Sequence, residues 1–585
     1  MKIPFIPQDA PFSGEQKQWL GGFLAGLHSR MLVKEEQVTQ VQAQVQVKPL
    51  TILYGSQTGN SESVAYDAAA AASAHGLAAT VYDMDDASVE LIASSERLLI
   101  VTSTYGEGEM PDNAQQLWDA ISADDAPKLD QTWFAVLALG DTSYDAFCLA
   151  GQLWDDRLVE LGAQRLLPRV DCDVDFEDLA SDWYSQALPQ IAQKGSQQTG
   201  AAPAPQAAAK PKSQYGRKNP MTLTLDKKRV VTGEGSSKEI VHYEFSWPDA
   251  VEGYEAGDAL NLVPQNDPAF VQGILQHLNL SGEERVPYKD DRVALGHLLQ
   301  NELEIRLPSK ELLQALAERA GDHQLEQRLN GDNSDALNDW LWGKDTLDIL
   351  QDYAGIEFGI VEFINLLKPI APRAYSISSA QQAVGQSVHL TIGSVRYGDD
   401  RERQGVCSVW LADRLEEGQT LPGYFAPNKS FSIPKEDSAP MIMVGPGTGI
   451  APFLGFLQAR KAKAASGDNW LFFGDRNAAS DFIYQQELEA WVEEGLLSRL
   501  DTAFSRDQKE KIYVQDLMRA QGEQLFAWLE RGGYFFICGD AYRMAKDVDV
   551  ALHDIVATWG KMDQEQAQQY VNQLKKDKRY VRDVY

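Results

Sequence analysis

Short apolar runs alternate with amphipathic stretches from residue 51 onward, and this alternation predicts a parallel sheet covered by helices. Five runs have the length and composition of buried strands, and stretches with helical periodicity, such as residues 61–75, lie between them. The predicted strands cover residues 51–54, 80–84, 98–102, 133–139 and 165–170. Strands joined in this way by crossover helices are typical of an open, doubly wound α/β sheet.

The pattern changes twice after that sheet. β-rich sequence covers residues 221–232, 239–247 and 258–264. Leucine then recurs at helical spacing over residues 268–367, and the β pattern returns at residues 373–378 and 388–394. We interpret this region as a small β-barrel domain with a helical insertion. From residue 441 a second series of strand, glycine loop and helix predicts another α/β domain.

Two segments lack the pattern of a packed domain. Residues 1–47 hold one short helical pattern and then a tether rich in Gln and Val. This helix suits either a flap on the chain's own core or a docking or oligomerisation surface. Residues 194–216 are rich in Gly, Ala, Pro, Ser and Gln, which indicates a flexible linker. The linker is either a plain connection or a tether between modules that separate and rejoin.

The length and these changes of pattern give the predicted domain boundaries. A chain of 585 residues is long enough for several domains. The boundaries are residues 1–47 for the N-terminal helix and tether, 48–193 for the first α/β domain, 194–216 for the linker, 217–436 for the β domain with its insertion at about 268–367, and 437–585 for the second α/β domain.

The charge balance narrows the expected partners. The chain has 53 basic and 85 acidic side chains, a net charge of −32, and so acidic a protein repels phosphate backbones. Nucleic acid is therefore not an expected partner. Residues 48–195 alone hold 25 acidic and 7 basic side chains, a net charge of −18. This excess serves either solubility or the electrostatic steering of a mobile module toward basic surfaces.

The cysteines and the apolar segments bear on the compartment. The four cysteines, Cys148, Cys172, Cys407 and Cys538, form no CxxC pair, which fits a reducing environment. The apolar cluster at residues 19–27 is interrupted by three glycines and lacks a basic leader and a cleavage site. We therefore expect a cytoplasmic protein with no membrane partner.

Three polar loops follow predicted strands of the first sheet. They contain Ser56, Gln57, Thr58, Gly59, Asn60 and Ser61, then Ser103, Thr104, Tyr105 and Gly106, and then Leu139, Gly140, Asp141, Thr142, Ser143, Tyr144, Asp145, Ala146, Phe147 and Cys148. The carboxyl ends of parallel strands meet at one edge of such a sheet, where ligands bind. Hydroxyls and a glycine at a helix start suit a phosphate monoester, and Tyr105 and Tyr144 are placed to enclose a flat ring. One such loop is usually only a turn, but three in succession predict a ligand site.

A second group of candidate residues lies in the β domain. It comprises Arg373, Ala374, Tyr375, Ser376, Thr391, Ile392, Gly393, Tyr397, Gly405, Val406, Cys407 and Ser408. An arginine can clamp a pyrophosphate, Tyr375 can stack on an isoalloxazine ring, and residues 405–408 can offer backbone amides at a helix start. Each segment alone is also consistent with a strand and a turn.

The second α/β domain has a glycine loop and a basic cluster. The loop, GPGTGIAP from residue 445, follows a predicted strand and includes Gly447 and Thr448. The cluster comprises Ser505, Arg506, Lys511, Ile512, Tyr513, Val514 and Gln515. Two cations with a hydroxyl and an aromatic ring suit an adenosine that carries a 2′-phosphate. Because no acidic side chain stands at Arg506 to bind a ribose 2′-hydroxyl, NADPH is favoured over NADH.

The last candidate residues lie near the C terminus. Cys538 follows an apolar run in the sequence FFICGD, and the chain ends in Asp583, Val584 and Tyr585. A lone cysteine after an apolar strand is usually a buried core residue, and an aromatic terminus can simply be frayed. Alternatively, the two segments belong to one site, with the terminal ring lying over a flavin.

Taken in order, these motifs resemble the diflavin reductases from about residue 48 to the end of the chain. The first module resembles flavodoxin, and the second group of residues resembles FAD domains of the ferredoxin–NADP reductase type. The sequences NWLFFGDRN from residue 469 and RYVRDVY at the C terminus are similar to the flavoprotein subunits of assimilatory NADPH–sulfite reductases. The resemblance implies a multidomain α/β protein: a flavodoxin-like doubly wound sheet, a β-barrel FAD domain with a helical insertion, and an α/β NADP domain.

The resemblance also implies which group each motif holds. The resemblance assigns FMN binding to the three loops of the first module, and FAD binding to the second group of residues together with Tyr585. It assigns NADPH binding to the glycine loop and the basic cluster together with Asp547. By the same resemblance, Ser376, Cys538 and Asp583 surround the flavin N5 and the nicotinamide and support hydride transfer.

The function implied is electron transfer from NADPH through FAD and FMN to a separate sirohaem and iron–sulfur subunit that reduces sulfite to sulfide in cysteine biosynthesis. A homo-oligomer formed through the N-terminal region is expected. Tyr105 and the sequence GVCS from residue 405 are more similar to reductases of haem monooxygenases, and Met110 stands where a proline is common in the family. A soluble reductase for a haem monooxygenase or a cytochrome is therefore the alternative. A second alternative is not an enzyme. It is a flavodoxin-type electron carrier or interaction protein without its own NADPH activity, which would need only residues 48–195.

Overall fold

The computed structural model describes residues 48–56, 59–106, 108–142, 146–174, 176–196, 215–248, 253–289, 291–330, 335–398 and 401–585. The predictions made for residues 1–47 and for most of the linker at 194–216 lie outside the described residues. None of the helices in the described part of the chain has both the length and the apolar character needed to cross a bilayer.

The first module is a parallel sheet, as the alternating pattern predicts. Its strands are β1 (Lys48–Gly55), β2 (Leu77–Asp83), β3 (Arg97–Ser103), β4 (Trp133–Leu139), β5 (Gln164–Arg165) and β6 (Val170–Cys172). They follow the order β2-β1-β3-β4-β5, and β6 also pairs with β4. The single strand predicted at residues 165–170 is wrong, because two short strands occupy this region. Pro168 lies between them, and proline has no N–H to give to a sheet.

Helices cover both faces of this sheet. They span Asn60–Ala72, Val89–Ser94, Asp112–Ser122, Leu149–Glu160 and Phe176–Ile191. Alternate residues of a strand point to opposite faces, so Ile52 and Val101 pack in one apolar cluster while Leu53 and Ile100 pack in another. Burial on both faces explains why the strands read as continuous apolar runs and confirms the doubly wound arrangement.

The second module is an antiparallel sheet with an insertion. Its strands are β7 (Met221–Val230), β8 (Ile240–Ser246), β9 (Ala259–Leu262), β12 (Arg373–Ser376), β13 (Ser387–Gly393) and β16 (Thr420–Ala426), and two small hairpins are formed by β10 (Arg285–Tyr288) with β11 (Asp291–Ala294) and by β14 (Arg396–Tyr397) with β15 (Arg403–Gln404). The large sheet has the order β12-β9-β16-β7-β8-β13. A bridge from Ile377 to Leu390 brings its first and last strands together, which bends the sheet toward a barrel.

The insertion is mainly helical, with one exception to the prediction. Its helices span Pro268–His277, Leu295–Asn301, Lys310–Ala320, His323–Asn330, Asp335–Leu341, Thr346–Asp352 and Ile360–Leu366. Leucines such as Leu298, Leu312 and Leu316 form its buried core. The hairpin β10–β11 interrupts the helical region that the leucine spacing predicts. Shorter helices at Gln381–Val384 and, with π geometry, at Trp410–Arg414 belong to the β domain.

The third module is again a parallel sheet between helices. Its strands are β17 (Met441–Val444), β18 (Asn469–Asp475), β19 (Arg499–Phe504), β20 (Tyr534–Gly539) and β21 (Tyr580–Val584), in the order β19-β18-β17-β20-β21. Its helices span Ala451–Ala462, Ala478–Asp481, Gln485–Glu493, Val514–Ala520, Gly522–Glu530, Met544–Gly560 and Gln564–Lys576. The C-terminal residues thus form an edge strand, β21, which pairs with β20 and places Asp583 beside Cys538.

Candidate functional site

The three predicted loops of the first module lie side by side at one edge of the sheet. Strands β1, β3 and β4 are neighbours, and Ser56, Ser103 and Leu139 stand at or just beyond their carboxyl ends. The amide of Thr104 donates to the carbonyl of Leu139 at 3.0 Å, which joins the second loop to the third. Five of the predicted residues lie outside the described part of the chain: Gln57, Thr58, Ser143, Tyr144 and Asp145.

Two buried hydroxyls in these loops fit a phosphate-bearing flavin. The hydroxyls of Ser61, in the first turn of the helix Asn60–Ala72, and of Ser103 are buried and have no hydrogen-bond partner among the described residues. A hydroxyl without a partner in the protein is costly unless a ligand or water satisfies it. Gly59, with φ of 86°, precedes the helix, whose N-terminus favours an anion.

The rest of the third loop is held by hydrogen bonds. Thr142 donates its amide and its hydroxyl to the carboxylate of Asp173, at 3.0 and 2.6 Å. A Cβ at Gly140 would lie 2.9 Å from the backbone nitrogen of Cys148, so only glycine fits this close approach. Burial raises the pKa of Cys148 to about 12, so its thiol stays protonated and packs in the fold. Between these anchors lie Asp141, Ala146 and Phe147, and Asn60 and Gly106 belong to the first and second loops.

The predicted residues of the β domain lie on β12, β13, β14 and the turn before the π-helical segment. The turn is tight: a Cβ at Gly405 would lie 2.6 Å from the hydroxyl oxygen of Ser408, which itself accepts from the amide of Val395 at 3.2 Å. Burial and the adjacent thiol of Cys407 raise the pKa of Tyr375 well above its usual value, so the phenol is neutral. The remaining members of the group are Ala374, Ile392, Gly393 and Val406.

Three polar side chains of this group already have protein partners. Arg373 donates to the carbonyl of Ala371 at 2.6 Å and also pairs with Glu304, and the hydroxyl of Tyr397 accepts from Arg306 at 2.6 Å. The hydroxyl of Thr391 lies 2.7 Å from that of Tyr484 in the third module. The side chain of Thr391 therefore serves the contact between the second and third modules.

The three residues predicted for hydride transfer meet at one point. Ser376 on β12 donates to the carboxylate of Asp583 on β21 at 2.7 Å, and the sulfur of Cys538 on β20 lies 3.9 Å from the same oxygen. Burial and the charge of Asp583 raise the pKa of Cys538 well above its usual value, so this thiol is not ionised. Burial also raises the pKa of Asp583, against the effect of the two hydrogen-bond donors.

The glycine loop of the third module borders the same point. Gly447, with φ of 58°, begins a single helical turn between β17 and the helix Ala451–Ala462. A Cβ at Gly449 would lie 2.1 Å from the carbonyl oxygen of Cys538, which excludes any side chain there. The hydroxyl of Thr448 lies 3.1 Å from that of Tyr585 and holds the terminal ring, which is 60% exposed, beside the loop.

The basic cluster forms an open surface next to this loop. Arg506, Lys511 and Tyr513 are exposed, and neither cation pairs with a carboxylate among the described residues. The amide of Ser505 donates to the carbonyl of Asp475 at 2.9 Å, which fixes the turn after β19. Exposed cations without partners suit a phosphate. The other predicted members are Ile512, Val514, Gln515 and Asp547, and Gln515 donates to Asp547 at 3.3 Å.

Sequence reasoning did not find the contacts between the first and third modules. Arg582 on β21 pairs with Asp112, Lys578 lies 3.5 Å from Asp83, and the hydroxyl of Tyr105 donates to the carbonyl of Val584 at 3.0 Å. The sequence did contain one signal that could have predicted these contacts: the first module is acidic, whereas the C-terminal segment KKDKRYVR is basic.

The second module adds one more pair to this interface. Lys429 binds Glu62, in the first turn of the helix that follows the first loop, at 2.7 Å. Together with the contacts of β21, this pair turns the loop edge of the acidic module toward the predicted FAD site.

Family models match the three modules in order. A flavodoxin model matches residues 52–183, an FAD binding domain model matches residues 213–410, and an oxidoreductase NAD-binding domain model matches residues 443–550. These matches confirm the predicted fold class and the predicted set of FMN, FAD and a nicotinamide cofactor.

Full-length relatives agree with this order. The chain is 40% identical to the sulfite reductase (NADPH) flavoprotein alpha-component of Bacillus subtilis, over 97% of this chain and 95% of the relative. It is 39% identical to the protein of the same name from Vibrio cholerae, over 98% of this chain and 94% of the relative. Because the likeness spans all three modules, the chain belongs to the family of NADPH–sulfite reductase flavoprotein alpha-components.

Proposed function

We propose that this chain passes electrons from NADPH through FAD and FMN to a separate sirohaem and iron–sulfur subunit, which reduces sulfite to sulfide in the cytoplasm for cysteine biosynthesis. The observation that carries the proposal is the position of strand β21. It presents Asp583 to Ser376 on the FAD side, and the carbonyl of Val584 accepts from Tyr105 on the FMN side, so one strand contacts both predicted flavin sites. The names of the relatives support the choice of acceptor.

The residues around β21 have distinct tasks in this proposal. When bound, the two flavins supply the redox chemistry, since they accept a hydride's two electrons together and release them singly. Ser376 and Asp583 form a hydrogen-bonded polar surface beside the place where hydride leaves the nicotinamide. Tyr585, held by Thr448, covers that place and excludes water until the nicotinamide displaces the ring.

The contacts of the acidic module suit a docking that is reversible. The pair of Lys429 with Glu62 and the pair of Lys578 with Asp83 each include a largely exposed lysine. Exposed pairs contribute about 0–1 kcal/mol each and are screened by salt. A module held by such pairs and joined by the linker at 194–216 can leave β21 and present its loop edge to an outside acceptor.

Reconstitution tests the choice of acceptor. The holoprotein, with a separately purified sirohaem sulfite reductase subunit, is expected to form sulfide and to consume three NADPH for each sulfite, because the reduction takes six electrons. We also propose that residues 1–47 mediate docking or oligomerisation. A chain that begins at residue 48 should therefore reduce cytochrome c with NADPH but form little sulfide. Turnover of a haem hydroxylase without any sulfide formation would reject the sulfite proposal.

A further inference from the structure

Strands β8 and β13 carry a group of metal-binding side chains that the electron-transfer function does not use. His242 and Glu244 lie two residues apart on β8 and therefore point to the same face of the sheet. On β13, His389 stands opposite Glu244, and Thr391 stands opposite His242. The ligand atoms of the two histidines and the glutamate all lie within 4.8 Å of one another. From this geometry we propose that His242, Glu244 and His389 bind a divalent transition-metal cation, with Zn²⁺ as the best match.

The hydrogen bonds around His242 leave one ring nitrogen directed at the site. Its Nδ1 lies 2.9 Å from the hydroxyl of Tyr484, and its Nε2 lies 3.7 Å from the carboxylate of Glu244. If Nδ1 carries the proton and donates it to Tyr484, the lone pair of Nε2 is free for a metal. Metal-binding histidines usually have such an outer partner, which fixes the tautomer and the ring.

The second histidine is also available as a ligand. Its ring meets that of His242 edge-on, with 5.0 Å between the centroids, and no described residue hydrogen-bonds to either ring nitrogen of His389. Burial lowers the pKa of both imidazoles, that of His242 to about 3, so both are neutral at pH 7. Neutral imidazoles are the form that binds metal.

The ligand set selects the kind of cation. Two imidazoles and one carboxylate suit Zn²⁺, which often takes three protein ligands and leaves a fourth position open, whereas Ca²⁺ and Mg²⁺ prefer oxygen ligands. Bonds of about 2.0–2.1 Å place zinc ligands roughly 3.4 Å apart. The closest pair already approaches this spacing, and small rotations of the half-buried His389 and Glu244 would close the rest.

The charges that face the site are nearly balanced. Lys227 Nζ lies 3.5 Å from Glu244 and would have to turn away, which its 57% exposed side chain permits. Arg229 lies over the ring of Tyr484 and pairs with Glu487 at 2.9 Å. Because Tyr484 belongs to the third module, a bound cation would stiffen the junction between the β domain and the third module.

Zinc binding by the holoprotein tests the proposal. Chelator-treated protein with both flavins bound is titrated with Zn²⁺ against a chromophoric chelator, and we expect one bound ion that the protein takes from the chelator. His389→Gln and Glu244→Gln should each weaken binding at least about tenfold. Lys227→Met should strengthen it, because the competing cation is gone.

A matched control and a second readout keep the test decisive. His323 pairs with Glu326 at 2.9 Å in the helical insertion and belongs to no cluster of three metal-binding side chains among the described residues, so His323→Gln should leave zinc binding unchanged. Zinc should raise the thermal unfolding midpoint of the wild-type protein and not that of His389→Gln. The flavin spectrum shows whether each variant is folded. A wild-type protein that takes no zinc from the chelator, or equal losses in all three glutamine variants, would overturn the proposal.

Discussion

The proposed hydride-transfer site and the proposed FMN cleft are built in opposite ways. Ser376, Cys538 and Asp583 come from two modules, and Ser376 and Asp583 are 207 residues apart, yet hydrogen bonds and burial hold the three together. The FMN cleft is built from loops of one small module, and its hydroxyls of Ser61 and Ser103 are left without protein partners. The first site is therefore assembled by contacts within the protein, whereas the second relies on its ligand to satisfy two hydroxyls.

This difference fits the two tasks. Hydride transfer requires the donor and acceptor atoms to be held closely, so a preorganised site is an advantage. Single electrons can cross between modules that meet and part, so the FMN module can be tethered and acidic. Strand β21 joins the two sites, because Asp583 binds Ser376 in one of them and its neighbour Arg582 pairs with Asp112 of the first module.

The largest effect is expected when the charge of the proposed hydride-transfer site is removed. Asp583→Asn keeps the shape of the side chain but loses the charge next to the nicotinamide site, and we expect flavin reduction by NADPH to slow about 100-fold. Stopped-flow absorbance measures this rate, and bound FAD is measured separately. Asp577→Asn, an exposed carboxylate near the same terminus, is the control. Unchanged reduction in Asp583→Asn would refute its role.

A smaller effect is expected at the open nucleotide surface. Arg506→Ser should raise the KM for NADPH by about tenfold or more, because a charge-assisted contact to the 2′-phosphate is lost, and should leave kcat nearly unchanged. The KM for NADH should not change. Arg531, which pairs with Asp468 at 3.0 Å elsewhere in the same module, provides the control Arg531→Ser. An equal rise for both nucleotides would mean that Arg506 acts on the fold and not on the phosphate.

The docking contact should have a milder effect that depends on salt. Lys578→Ala removes the partly exposed pair with Asp83, and we expect electron transfer to FMN to slow by about two- to fivefold at low ionic strength and by less at high salt. Arg519→Ala, which breaks an exposed pair with Asp554 on the outside of the same module, is the matched variant. The same loss at every salt concentration would argue against electrostatic docking.

The smallest effect is expected for a substitution at the acidic edge of the FMN module, and it is a change in protein stability that depends on pH. Burial and the charge of Asp83 raise the pKa of Asp85 from 3.8 to about 7. The folded state therefore holds a proton that the unfolded state loses, and this contribution to stability disappears as the pH rises from about 4 through 7. Asp85→Asn should be more stable than wild type by about 1 kcal/mol above pH 7, a figure reduced for partial exposure, and by much less at pH 4.

Urea unfolding measures that dependence on pH, with the release of fluorescent FMN as the signal. The exposed neighbour provides the control Asp86→Asn. A gain in stability that is the same at pH 4 and pH 8 would show that Asp85 does not carry a raised pKa.

Local features of both sites could be predicted from the sequence. The polar loops at Ser56, Ser103 and Leu139 each follow an apolar strand, and the glycine loop at Gly447 follows another. Each of these motifs is formed by residues that are neighbours in the sequence, so it can be recognised without knowing the fold. The two parallel sheets could be predicted for the same reason, because strands buried on both faces give continuous apolar runs.

Long-range contacts could not be predicted in the same way. Arg582 and Asp112 are 470 residues apart, and nothing in the spacing of either residue indicates the other. Thr391 was assigned with its neighbours to FAD, and nothing in the sequence indicated that its hydroxyl also contacts Tyr484 of the next module. The hairpin β10–β11 is only four residues long on each side, too short for its period to stand out from the leucine pattern of the insertion.

The most direct test of the account separates the two sides of strand β21. Rapid mixing with NADPH resolves the reduction of FAD from the later reduction of FMN. Asp583→Asn should slow the first step and Arg582→Ala only the second, although the two residues are adjacent. If Arg582→Ala slows the first step as much as Asp583→Asn does, β21 does not divide hydride transfer from FMN docking, and the central claim is contradicted.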